Sequence, residues 1–87
     1  MYEIVYTKTA VKQVLLLKAA KLDGRAKRLI DLLRENPFQN LPSYEKLSGD
    51  MATAYSRRIN LQHRLVYQVF EEEKQIKIIS MWTHYEY

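Results

Sequence analysis

The stretch from Ala54 to Thr83 most constrains what this chain can fold into. It reads "AYSRRIN", "LQH", "RLVYQVF", the acidic turn "EEEK" and then "QIKIISMWT". Three runs rich in β-branched and aromatic residues, joined by connections this short, predict an antiparallel three-stranded meander. In the last run Ile76, Ile78 and Trp82 share one parity, with Lys77, Ile79 and Met81 on the other. Apolar groups on both faces imply a strand that is central or covered by a helix.

The residues before the meander supply the cover. "YEIVYT" predicts a short first strand, and Thr7 is a suitable N-cap for a helix running to about Lys21. Val11, Val14, Leu15 and Leu22 follow helical spacing, and Leu16 and Leu17 widen the stripe, predicting burial on more than one side. Asp23-Gly24 interrupts the pattern, with Asp23 able to cap a second helix. Ala26, Leu29, Ile30 and Leu33 then recur at i, i+3, i+4 and i+7, and Asn36-Pro37 ends the run. Two helices with so short a break form an antiparallel hairpin. Phe38 to about Ala52 has no clean period and reads as a loop crossing to the sheet. The expected fold is a small α+β domain over residues 1–87, with the first strand joined to the meander and both helices on one face.

Composition narrows the function. With no cysteine among 87 residues, disulfide staples and cysteine-based zinc sites are excluded. The start "MYEIVYTKTA" lacks the basic and apolar regions of a signal peptide, and the longest apolar run, Val14–Leu17, is too short to span a bilayer. No membrane association is expected, and a cytoplasmic location is. Fourteen Lys and Arg against ten Asp and Glu give +4, which leans towards an anionic partner.

Glu45 in the crossing loop, Arg64 opening a strand, and His84 with Tyr85 after the last strand stand out by position, with Arg57 and Arg58 on the hairpin. Cutting RNA without a metal needs a base for the 2′-hydroxyl, cations for the pentacovalent phosphate and an acid for the leaving 5′-oxygen. A carboxylate, arginines and an imidazole are residue types that can supply these. His63 is expected to be a turn residue.

The block "SRRINLQHRLVYQV", residues 56–69, resembles the signature of the YoeB/Txe toxins of the RelE/ParE superfamily: Ser-Arg-Arg-Ile-Asn, two variable residues, then His-Arg-Leu-Val-Tyr. "NPF" at 36–38, "EKLSGD" at 45–50 and "HY" at 84–85 extend the likeness over nearly the whole chain. Tyr44 stands where the family usually has proline, Ser48 where many members have lysine, and Glu86-Tyr87 extend past the His-Tyr pair.

The resemblance implies a RelE-like fold and an endoribonuclease that enters the ribosomal A site and cuts mRNA there, with no metal or other cofactor. Glu45 would be the general base, Arg64 the phosphate stabiliser, His84 the general acid and Tyr85 the residue orienting RNA. Arg57, Arg58 and Lys46 are weaker candidates for phosphate contact. The implied partners are a YefM/Phd-type antitoxin, the ribosome with its mRNA, and a second copy of the chain in a homodimer. Two other readings share these residues: a ParE-like toxin that binds DNA gyrase, and a non-catalytic RNA- or protein-binding module. The set Glu45, Arg64, His84 and Tyr85 favours the nuclease, because a gyrase binder has no need of it.

Overall fold

A computed structural model describes residues 1–40, 42–47 and 54–82. The elements run β1 (Glu3–Tyr6), α1 (Lys8–Ala19), α2 (Asp23–Glu35), β2 (Tyr44–Lys46), β3 (Ala54–Arg58), β4 (Arg64–Phe70) and β5 (Gln75–Ser80). The five strands form one sheet in the order β1-β5-β4-β3-β2. β1 lies parallel to β5, and every other pair is antiparallel. The fold is the expected α+β arrangement with one strand more. Part of the supposed crossing loop is β2, which pairs with β3 and places Glu45 opposite Ser56 on a strand.

Both helices pack on one face of the sheet. On that side Leu65, Tyr67, Val69, Ile76 and Ile78 meet Ala10 and Leu17 of α1 and Ala26, Leu29, Ile30 and Leu33 of α2. The α2 set is the i, i+3, i+4, i+7 face read from the sequence, and all four of its residues are buried. Among the described residues, the opposite face carries a small cluster, Leu47, Ala54 and Val66 with half-buried Ile79 against it.

α1 departs from expectation. Only Ala10 and Leu17 are buried and Val14 is half-buried, while Val11, Leu15 and Leu16 are exposed. A helix lying on a flat sheet buries one stripe, so a run of four consecutive apolar residues cannot all face inward. Thr7 does cap α1: its Oγ1 accepts from Ala10 N–H at 3.0 Å and donates to the Ile79 carbonyl at 2.9 Å. The helix ends at Ala19 rather than Lys21, because Lys21 takes a left-handed backbone (φ 59°). Lys21 N–H donates to Lys18 O, and Leu22 N–H to Leu17 O at 2.8 Å, which closes the helix end and reverses the chain. Asp23 is therefore the first residue of α2, and Leu22 is its N-cap, without a side-chain cap bond.

At the other end of the sheet, Tyr67 pairs with Ile78 but Val66 pairs with Ser80, so Ile79 is an extra residue in β5. This bulge reverses the alternation beyond it. Met81 accordingly joins Ile76 and Ile78 in the main core, contrary to the parity read from the sequence.

Candidate active site on the open sheet face

The hairpin between β3 and β4 sets the geometry of the face away from the helices. Asn60 Oδ1 accepts from Gln62 N–H at 2.9 Å and His63 N–H at 2.7 Å, while Ile59 N–H donates to His63 O at 2.9 Å. That turn fixes the register, and Arg58 stands directly opposite Arg64. Side chains two residues apart on a strand share a face, so Ser56 and Arg58 of β3 lie on the same side as Arg64. Glu45 joins them because it is registered with Ser56.

These residues line a cleft of about 320 Å³ together with Pro42, Ser43 and Tyr44. Arg64 Nη2 is 3.2 Å from Glu45 Oε1, and its Nη1 donates to Ser56 Oγ at 3.0 Å. The Glu45 side chain is 68% exposed and that of Arg64 only 18%. An ion pair with one partner so open to water is worth at most about 1 kcal/mol. Arg64 is therefore held by Ser56 and by its surroundings, and an incoming anion can displace Glu45 from it.

Arg58 is exposed, and among the described residues it has no hydrogen-bond or ion-pair partner. Like charges directly opposite on antiparallel strands repel. Two arginines facing each other with one carboxylate between them make a site that favours an added anion. Guanidinium forks suit the oxygens of a phosphate, and a carboxylate alongside can accept a proton.

Arg57, one of the weaker candidates for phosphate contact, is placed elsewhere. Its residue exposure is 0% and it points to the helix face. Nε donates to Tyr67 Oη at 2.9 Å, Nη2 to the carbonyls of Pro37 (3.0 Å) and Gln39 (2.7 Å), and Nη1 to the carbonyl of Pro42. The guanidinium also sits 4.8 Å from the centre of the Tyr44 ring. Its donors are taken up by the segment that leads into β2, so no fork is open to a phosphate. Lys46 is exposed on the edge strand, outside the residues that line the cleft. His63 sits in the turn as expected, and its side chain is also buried, with its ring 3.9 Å from that of Trp82 and nearly parallel to it at 18°. His84 and Tyr85 lie outside the described residues.

Ser56 is a cleft residue to which the sequence alone attached no role. The signal was present in the spacing: once Arg58 and Arg64 face each other, the residue two before Arg58 shares their face. Among the described residues no cluster of three or more His, Cys, Asp or Glu could hold a metal ion, and no helix is long and apolar enough to cross a membrane.

Comparison with known proteins places this sheet, with helices on one face and an arginine–carboxylate cleft on the other, among the small toxins of type II toxin–antitoxin systems. The YoeB/ParE toxin from Agrobacterium tumefaciens superposes with a TM-score of 0.86 and 30% identity, over 95% of this chain and 99% of its own. The Staphylococcus aureus toxin, solved in a heterotetrameric YoeB–YefM complex and as a YoeB dimer, gives TM-scores of 0.80 and 0.82 at 30% identity. The alignments cover 98% and 97% of this chain, and 99% and 98% of the toxin chains. Toxin YoeB of Synechocystis is 36% identical over 66 residues, 76% of this chain and 74% of its own length. Residues 6–85 match the family described as YoeB-like toxin of bacterial type II toxin-antitoxin system, and the chain belongs to that family.

Proposed function

We propose that this toxin is a metal-independent endoribonuclease that cuts mRNA in the ribosomal A site and so stops translation. The observation that carries the reading is the Glu45–Arg64 pair, 3.2 Å apart on the open face with Arg58 opposite Arg64. The scissile phosphate takes the place of Glu45 on the Arg64 fork. Glu45, released but adjacent, accepts the proton of the 2′-hydroxyl. The 2′-oxygen attacks phosphorus, Arg64 and Arg58 stabilise the growing charge on the phosphoryl oxygens, and the bond to the 5′-oxygen breaks. His84 as imidazolium gives its proton to that oxygen, and Tyr85 orients the RNA. The products are a 2′,3′-cyclic phosphate and a free 5′-hydroxyl. Dependence on the 2′-hydroxyl makes the activity specific to RNA.

Partners follow from the same reading. An antitoxin of the YefM type neutralises the toxin, a second copy of the chain can pair with it, and work on ribosomes places it in the cytoplasm. Primer extension on one mRNA, naked and on translating ribosomes, tests the assignment. Wild type cuts at A-site codons, and His84→Ala loses about 2 to 4 orders of magnitude in rate, as expected for removal of an acid–base group. Near-normal cutting by that variant rejects the role of His84. No cutting by folded wild type in either setting rejects the nuclease and returns the gyrase-binding and binding-module readings.

A further inference from the structure

A second cleft, of about 370 Å³, opens beside the candidate active site and is lined by Arg25, Arg28, Leu29, Leu32, Pro42, Arg58 and Ile59. Pro42 and Arg58 line both clefts, so the two adjoin along a shared wall. Arg25 and Arg28 lie one turn apart on α2, and Arg25 Nη1 reaches the carbonyl of Ile59, next to Arg58, at 3.5 Å. α2 thus leans its arginines towards the hairpin that carries the catalytic cleft.

Among the described residues no acidic side chain lines this groove. The acidic residues Asp23 and Asp31 of α2 line a different cleft, on the side facing α1. Three guanidiniums gathered without a carboxylate repel one another, and the arrangement is relieved by an anion. The floor of Leu29, Leu32 and Ile59 is apolar, which suits the faces of riboses and bases between phosphates better than it suits a hydrated ion. An acidic peptide with apolar anchors would meet the same chemistry. Adjacency to the proposed scissile-phosphate site decides for RNA, because a strand held at Arg64 must leave the cleft and the groove lies just across the shared Arg58 wall.

We propose that the groove lined by Arg25, Arg28 and Arg58 is a track for the ribose-phosphate backbone of RNA, continuing the active site beyond the cleaved bond. This rests on the nuclease reading above. The backbone can belong to the mRNA being cut or to ribosomal RNA beside it, and the chemistry recognised is the same.

The test compares wild type with Arg25→Gln/Arg28→Gln and Arg25→Lys/Arg28→Lys. Both positions are exposed, and thermal melting checks that the variants stay folded. Affinity is measured across a salt series for a short 2′-O-methyl RNA, which lacks the nucleophile, and separately for vacant ribosomes. Each phosphate neutralised on a single strand contributes roughly 0.7 to the slope of log affinity against log salt, so the Gln variant should lose about 1.4. Its affinity should fall about tenfold or more at physiological salt, while the Lys variant keeps most of the slope. A change with the oligonucleotide assigns the groove to mRNA, and a change with ribosomes alone assigns it to ribosomal RNA. Unchanged slopes in both, with wild type binding and cutting normally, overturn the inference. Unchanged RNA binding with lost affinity for a peptide alternating Leu and Glu overturns it in favour of an acidic protein segment. If wild type neither cuts nor binds RNA, the nuclease reading fails and the groove assignment fails with it.

Discussion

Arg57 Nε donates to Tyr67 Oη at 2.9 Å, deep on the helix side of the sheet, where neither residue has any exposed surface. The other guanidinium nitrogens bond to the carbonyls of Pro37, Gln39 and Pro42, and the rings of Phe38, Tyr44, Tyr55 and Tyr67 pack in a chain beside them. A buried charge is expensive unless its donors are satisfied, and here carbonyl dipoles rather than a carboxylate satisfy them. The consequence for function is positional. The segment tied down by Arg57 leads directly into β2, which carries Glu45.

Arg57→Met removes the donor from the buried Tyr67 Oη and Pro37 carbonyl and from the partly buried carbonyls of Gln39 and Pro42. At about 1–3 kcal/mol for each group left unsatisfied, partly relieved by relaxation, the variant should lose about 3–5 kcal/mol. That is a large share of the roughly 5–15 kcal/mol available to a domain. Urea denaturation followed through Trp82, the chain's one tryptophan, reads this directly. Arg57→Lys should recover little, since a point charge cannot reach the same acceptors as a fork. A loss below about 1 kcal/mol in Arg57→Met would show that the network is not structural.

Burial pushes the Tyr67 phenol above its ordinary value of 10.0, and the neighbouring Arg57 guanidinium only partly opposes this. The folded protein then holds the Tyr67 proton more tightly than the unfolded chain does. The stability this contributes is complete below the unfolded value and is lost as pH rises through the folded one. Denaturation midpoints should therefore decline as pH rises past the ordinary phenol value of 10.0, and less steeply in Tyr67→Phe. Equal slopes in the two proteins would contradict it. In ultraviolet titration, the phenolate signal missing from Tyr67→Phe should be one that appears above the ordinary value of 10.0.

The turn between the helices offers two stabilising changes. Lys21 holds a left-handed backbone at φ 59°, which an L side chain adopts at a cost and glycine does not. Gly24 lies inside α2, and a methyl group added there would meet nothing within 4 Å. Lys21→Gly should stabilise by up to about 1 kcal/mol, and Gly24→Ala by about 0.5–1 kcal/mol. Neither position lines the candidate active site, so activity should be unchanged while melting temperature rises. A fall in melting temperature for either variant would contradict this account of the turn.

What could be read from the sequence follows from how much local pattern each element carries. α2 was legible because Ala26, Leu29, Ile30 and Leu33 form one unbroken face. The meander was legible because its turns are short and its runs apolar. β2 was not, since Tyr44-Glu45-Lys46 is a three-residue edge strand whose pairing with β3 leaves no alternation to see. Neighbours on a strand such as Arg57 and Arg58 point to opposite faces, but only the sheet decides which goes inward, and the Tyr55–Arg57–Tyr67 side is the covered one. Met81 was misread because a bulge at Ile79 is invisible to a period of two. At the site, Glu45, Arg58 and Arg64 come together in one cleft. The position of Glu45 on a strand, and the hold of Ser56 on Arg64, required the register to be known.

The central claim is that Glu45 works as a base beside Arg64 rather than as an ordinary surface ion pair. The most direct measurement is single-turnover cleavage of mRNA on ribosomes by Glu45→Gln, alongside binding of the same complexes. Glutamine keeps the size and removes one negative charge from an arginine-lined cleft, so binding should hold or strengthen. The predicted result is cleavage slowed about 10²- to 10⁴-fold with affinity intact, the range for removing an acid–base group. Wild-type turnover in Glu45→Gln would contradict the account and leave the carboxylate as a solvent-exposed partner of Arg64.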